Sequence, residues 1–184
     1  RPAKLLVVFA ILGRVWDERL KQINAFRRLS PLLASGGQPT SDELGSIAQA
    51  GFKHLINLAL PSSPGALPDE AAEAARVGLE YLHLPIDFEH PELERAAALF
   101  RALHERQAEP VFVHCAANKR VSALLSVYRS IWGGVSFRHA RDDLHAVWEP
   151  NHVWRRYLVN VAVQALPRPV RFETERLVLR DDVL

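Results

Sequence analysis

The sequence has no methionine and a single cysteine, Cys115. One cysteine excludes an internal disulfide framework, and a lone thiol suits a reducing compartment, so a cytoplasmic location is expected. A dense lysine or arginine block is also missing. The 23 basic and 21 acidic residues leave a formal charge of +2. Nucleic-acid binding therefore has no electrostatic footprint, whereas a basic pocket for a small anion fits this balance. Long apolar runs are absent too. Residues 5 to 12, "LLVVFAIL", supply eight apolar positions, and a bilayer span takes ~20. The run follows Arg1 and Lys4 as the core of a secretory signal would, but "GRVWDERL" offers no small-x-small cleavage site. A peripheral helix or a loosely attached extension is expected there, without membrane association. The eight histidines are scattered without ligand spacing. Neither a metal nor a cofactor is expected.

What is present is an ordinary globular balance, with 48% apolar and 24% charged residues. A chain of this length holds one domain with short additions. Residues 19 to 30 read as a helical or turn entry. "LLASGGQPT" reads as a short strand entering a turn. Thr40 and Glu43 have capping-box spacing ahead of a helix that ends at Gly51. "KHLINLAL" and "LEYLHLPI" read as strands, separated by the loop "PSSPGALP" and the short helix "DEAAEAARVG". A longer helix follows Pro91, with Leu93, Ala96, Ala97, Phe100 and Leu103 on one face. "PVFVHC" reads as a strand buried on both faces. Val121, Leu124, Leu125, Tyr128, Ile131 and Trp132 then form a helical stripe, and two more helices cover about 136 to 148 and 151 to 166. This alternation predicts an α/β fold with a mostly parallel sheet of about four or five strands flanked by helices. The expected organisation is an N-terminal extension at 1–22, one domain at 23–166 and a C-terminal tail at 167–184. "FETERLVLR" in that tail resembles the opening strand of Gcn5-related acetyltransferases, and it reads as an accessory strand or a disordered end.

The chemistry is expected where "PVFVHC" ends. Ligands of open α/β sheets bind beyond the C-terminal strand ends. Cys115 occupies such an end, and "AANK" leads directly into a helix. A helix N-terminus offers free N–H groups and partial positive charge to an anion. That environment favours a thiolate. Arg120 adds a planar fork that matches two oxygens of a phosphate or sulfate. The bland alternative is that Cys115 is a small buried hydrophobe. Its position together with Arg120 favours a site.

The stretch "VHCAANKR" resembles the signature of the cysteine-dependent protein tyrosine and dual-specificity phosphatases. Together with "INAFRRLSPLLASGGQPTSDELGSIAQAGFKHLINLAL" and "GLEYLHLPIDFEHPE", it resembles a bacterial branch of that superfamily, akin to the phosphatase-like domain found beside beta-lactamase-hydrolase-like proteins. The resemblance covers about residues 23 to 166. It implies a phosphatase-like fold and metal-independent hydrolysis of phosphomonoesters through a phosphocysteine on Cys115. It implies that Arg120 and the loop residues Ala116, Ala117, Asn118 and Lys119 hold the phosphate. It gives His114 and Ser122 supporting roles and makes Asp87, in "LPIDFEHP", the general acid. A cap on the helix near Pro91 is the other reading of Asp87, and Glu89 and His90 are weaker candidates for the acid. The substrate would be a phosphorylated protein or a small phosphomonoester.

The sequence departs from the familiar pattern. Four residues rather than five separate Cys115 from Arg120, no glycine lies among them, and Val121 precedes Ser122. Asn118 is the residue suited to a positive φ where glycine is usual. The loop is therefore expected to be incompletely preformed, with Arg120 turned partly to solvent or to an acidic neighbour. Two alternatives stand beside the phosphatase. One is a rhodanese-like sulfurtransferase, which also sets a cysteine between strand and helix. The other is a non-catalytic pseudophosphatase that binds phosphate.

Overall fold

Strand β5, Val111–His114, is buried along its whole length. The computed structural model, which describes residues 18–166, is organised around it. In chain order the elements are β1 (Arg27–Ser30), β2 (Leu33–Gly36), α1 (Ser41–Gln49), β3 (His54–Asn57), α2 (Glu70–Arg76), β4 (Glu80–His83), α3 (Leu93–Glu105), β5, α4 (Lys119–Ile131), α5 (Phe137–His145) and α6 (His152–Ala165). One sheet has the order β1-β2-β5-β3-β4. Strands β2, β5, β3 and β4 run parallel, and β1 closes one edge antiparallel to β2. The register brings Gly36, His114, Asn57 and His83 into one row, so four parallel strands end level. Ligand chemistry belongs beyond that row.

Side chains alternate across the sheet into two apolar layers. Val111 and Val113 join Leu99, Leu103, Leu124 and Trp154 on one face, where α3, α4 and α6 pack. Phe112 points the other way, to Leu44, Ile47, Phe52 and Leu79 beside α1 and α2. Each such large apolar side chain stabilises the fold by roughly 1.5–3 kcal/mol through burial. Leu20 and Ile23, just ahead of β1, are fully buried in the second layer. Helix α1 starts with the expected capping box: Thr40 Oγ1 accepts from Glu43 N, and Glu43 Oε2 accepts from Thr40 N.

Two expectations need correction. Residues 19–30 are not only a helical or turn entry, because they contain β1. Its alternation of half-buried and exposed positions, Arg27 to Ser30, belongs to a polar edge strand in which Leu29 is the one apolar residue. The buried face of α3 is also rotated. Ala96, Leu99, Phe100, Ala102 and Leu103 are buried, whereas Ala97 is exposed. The readings placed on residues 1–17 and 167–184 lie outside the described residues. No helix among the described residues is long and apolar enough to cross a membrane.

Candidate active site

At the end of β5 the chain runs His114, Cys115, Ala116, Ala117 and Asn118 before α4 begins. Gly37 permits this turn to lie against the end of β2: a Cβ there would meet Ala116 O at 3.0 Å. Gln38 N donates to Ala116 O (3.2 Å), and Ala117 bridges to Gly37. The turn is completed by Asn118, whose φ of 59° and ψ of 2° are left-handed, as expected of the one loop residue suited to it. Two bonds hold Asn118 there. Its Nδ2 donates to Ala25 O (2.7 Å) and to Ser35 Oγ (3.1 Å). The side chain is thereby turned inward and makes no cap hydrogen bond to α4. The first N–H groups of α4 are left without a side-chain acceptor, which is the condition for binding an anion.

Cys115 sits at the base of this turn and is 1% exposed. Arg120, in the first turn of α4, is buried as well. Contrary to the expectation from sequence, it turns neither to solvent nor to an acid. Its Nη1 donates to Leu58 O (3.0 Å), just beyond the end of β3, and its Cζ lies 6.0 Å from the Phe88 ring centroid. A carbonyl and an aromatic face satisfy part of the guanidinium without a carboxylate. Nε is buried without a partner. A buried charge-bearing donor left open offers a hydrogen to an anion at this strand end.

Asp87 lies on the loop after β4 and is half-exposed. Its Oδ1 accepts from Glu89 N (2.7 Å) and His90 N (3.0 Å), a turn within the loop; it does not cap α3, whose N-cap is Glu92. The bonds from His90 and Glu89 hold its carboxyl below the ordinary carboxylate range, and the charge of Arg120 acts in the same direction. Helix α6 fastens this loop. Trp154 Nε1 donates to Phe88 O (2.8 Å), and Tyr157 OH donates to Glu92 O (2.7 Å). Phe88 packs against Trp148 and Trp154, with ring centroids 5.5 and 5.4 Å away.

The remaining candidates are dispersed around the turn. Lys119 is exposed, with its ammonium 5.6 Å from the Trp148 ring centroid, and its carbonyl accepts from Trp148 Nε1 (3.0 Å). Ser122 Oγ donates to Lys119 O (3.2 Å). His114 is fully buried, with Nε2 3.2 Å from Glu70 Oε1. Glu89 and His90, the weaker candidates for the acid, contribute backbone N–H groups to Asp87. Glu70 is the residue that sequence reasoning missed. It opens a short alanine-rich helix, where an acidic residue is ordinary on dipole grounds, and no spacing announces its burial. Beside Ala116 opens a cleft of about 500 Å³ whose walls include Gln38, Thr40, Asp42 and Gly65. Among the described residues no group of three His, Cys, Asp or Glu side chains comes together as metal ligands.

Known proteins share this architecture. A DUF442 candidate phosphatase from Shewanella putrefaciens CN-32 superposes with a TM-score of 0.73 at 30% identity, covering 80% of this chain and 97% of that one. P. aeruginosa TpbA, solved in complex with pTyr, shares the fold at 16% identity, with a TM-score of 0.61 over 78% of this chain and 91% of that one. A beta-lactamase hydrolase-like protein of Xylella fastidiosa (strain Temecula1) is 32% identical over 119 residues, 62% of this chain. The chain spans about a quarter (26%) of that relative's length. Residues 7–153 match the family described as DSP-PTPase phosphatase fused to NAD+ kinase. The chain belongs to that family, within the tyrosine and dual-specificity phosphatase superfamily.

Proposed function

We propose that the protein hydrolyses phosphomonoesters without a metal ion, through a phosphocysteine on Cys115. The observation that carries this reading is the meeting of Cys115, the uncapped start of α4 and the open Nε of Arg120 at one strand end. The thiolate attacks phosphorus, and a P–S bond forms as the ester P–O bond breaks. Arg120 and the N–H groups of Ala116, Ala117, Asn118 and Lys119 hold the equatorial oxygens. Asp87 gives its proton to the departing oxygen. Its Oδ1 is engaged by two backbone donors, so Oδ2 carries that proton. A dianionic substrate beside the carboxyl favours the protonated form it needs. Water then attacks the phosphocysteine and Asp87 takes its proton. The P–S bond breaks, and phosphate and the thiolate are released.

The substrate is a phosphorylated protein or a small phosphomonoester, and the domain comprises residues 23–166 flanked by an extension and a tail. We place the protein in the cytoplasm of a bacterium. His114 and Ser122 support the loop, and Lys119 lies close enough to it to meet the substrate. Family membership sets aside the sulfurtransferase alternative. The test is hydrolysis of an aryl phosphate with metals chelated. Wild type turns over and Cys115→Ser falls to the uncatalysed rate. Equal rates, or loss of wild-type activity to the chelator, overturn the reading. Phosphate binding without turnover establishes the pseudophosphatase instead.

A further inference from the structure

Glu70 is 6% exposed, yet its carboxylate is fully engaged. Oε1 accepts from Gln38 Nε2 (2.7 Å) and faces His114 Nε2 (3.2 Å). Oε2 accepts from Asn57 Nδ2 (2.6 Å) and Tyr81 OH (3.1 Å). Three hydrogen-bond donors and the ring nitrogen of His114 thus surround one carboxylate. Burial pushes its pKa up, but bonds from His114, Gln38 and Tyr81 outweigh this and hold it below the ordinary range. Glu70 is therefore ionised at neutral pH, with Nε2 of His114 3.2 Å from its Oε1.

The partners of Glu70 lead to three parts of the site. His114 precedes Cys115 directly. Gln38 holds Ala116 O through its own N–H. Asn57 accepts from Ala59 N through Oδ1 (2.6 Å), which fixes the intervening Leu58 peptide whose carbonyl binds Arg120. A scaffold residue that merely joined α2 to the sheet would need only Asn57 and Tyr81. We propose that Glu70 is the positioning residue of the phosphate site, setting the nucleophile, the loop and Arg120 together through His114, Gln38 and Asn57. The proposal rests on the Cys115 reading above.

Glu70→Gln tests it, because an amide keeps the shape but offers one acceptor oxygen and turns an NH2 toward donors. The expected loss in kcat/KM for an aryl phosphate is about tenfold to a hundredfold, as for residues that orient catalytic groups. Glu70→Asp, which keeps the charge, should recover part of it. In a double-mutant cycle with His114→Asn the two losses should not add, since one acts through the other. The rate of Cys115 alkylation by iodoacetamide, and its protection by vanadate, should change in Glu70→Gln as well. A folded Glu70→Gln protein with activity within about twofold of wild type, or with losses that add to those of His114→Asn, overturns the proposal. If wild type shows no hydrolysis, the nucleophile reading fails, and Glu70 is then judged by alkylation alone: an unchanged rate overturns its role, and a changed one supports it. Should Glu70→Gln not fold, Gln38→Ala removes the side-chain bond to Glu70 Oε1 and keeps the backbone N–H on Ala116 O, so it cuts Glu70 off from the loop. It should reduce kcat/KM and alter alkylation in the same sense, and wild-type values for both would overturn the proposal.

Discussion

The two ends of the parallel sheet each carry a buried histidine, and they are treated differently. At the N-terminal end His54 has a carboxylate at both ring nitrogens: Glu109 at 2.7 Å from Nε2 and Glu80 at 3.2 Å from Nδ1. Lys53 completes this cluster on Glu109. At the C-terminal end His114 meets one carboxylate, and its Nδ1 has no partner. Gln38 Oε1, Asn118 Oδ1 and Arg120 Nε, on the segments around that end, are likewise buried without a hydrogen bond. Ion-pair contacts gather at one end of the sheet, where His54 Nδ1 is the one such open atom among the described residues, and the other five, both ring nitrogens of His114 among them, lie around the end proposed to bind an anion.

The largest effect that would sharpen this contrast is expected at Arg120. Arg120→Lys cannot reproduce the bidentate fork and should lower turnover about 10²-fold, with weaker phosphate protection of Cys115 against alkylation. Full activity in that variant would break the contrast. Asp87→Asn comes next, with a loss of about 10² on substrates with poor leaving groups and much less on good ones. Equal losses on both kinds of substrate would remove Asp87 from the acid role. Trp154→Phe deletes the bond to Phe88 O and some packing volume. A net loss of about 1 kcal/mol or more in stability is expected. Turnover should fall a few-fold, again mostly on poor leaving groups, as leaving-group series will show.

The smallest catalytic effect is expected at the paired end. Hydrogen bonds from Lys53 and His54 pull the Glu109 carboxyl down to about 2 from its ordinary 4.5. A lowered folded-state pKa gives stability that is present above about 4.5 and lost as pH falls toward 2. Glu109→Gln should therefore flatten the acid limb of a stability-against-pH curve and leave aryl phosphate turnover unchanged. An altered turnover would join the two ends functionally and dissolve the distinction.

Much of this arrangement was legible in residue order, for identifiable reasons. "PVFVHC" is apolar up to His114 because β5 is buried on both faces, and Thr40 and Glu43 announce α1 through a local bond pattern. Asn118 could be singled out because few residues tolerate a left-handed turn. Other features depend on partners distant in sequence. The inward course of Arg120 is set by Leu58 O, 62 positions away, and no periodicity encodes that. Glu70 draws its role from Gln38, Asn57, Tyr81 and His114, which only the sheet register brings together. Strand β1 escaped because an edge strand with two arginines looks like a solvated turn.

Trp148 bears on how the loop can be watched. Its indole N–H is tied to the carbonyl of Lys119, the residue before Arg120, and the Lys119 ammonium lies over its ring. Indole emission is sensitive to a cation on its face and to the strength of that hydrogen bond. The protein thus carries an optical gauge one residue from Arg120, the arginine proposed to bind phosphate. Stopped-flow fluorescence on adding phosphate or vanadate can time the response of the α4 start without any label, and Trp148→Phe identifies which indole supplies the signal.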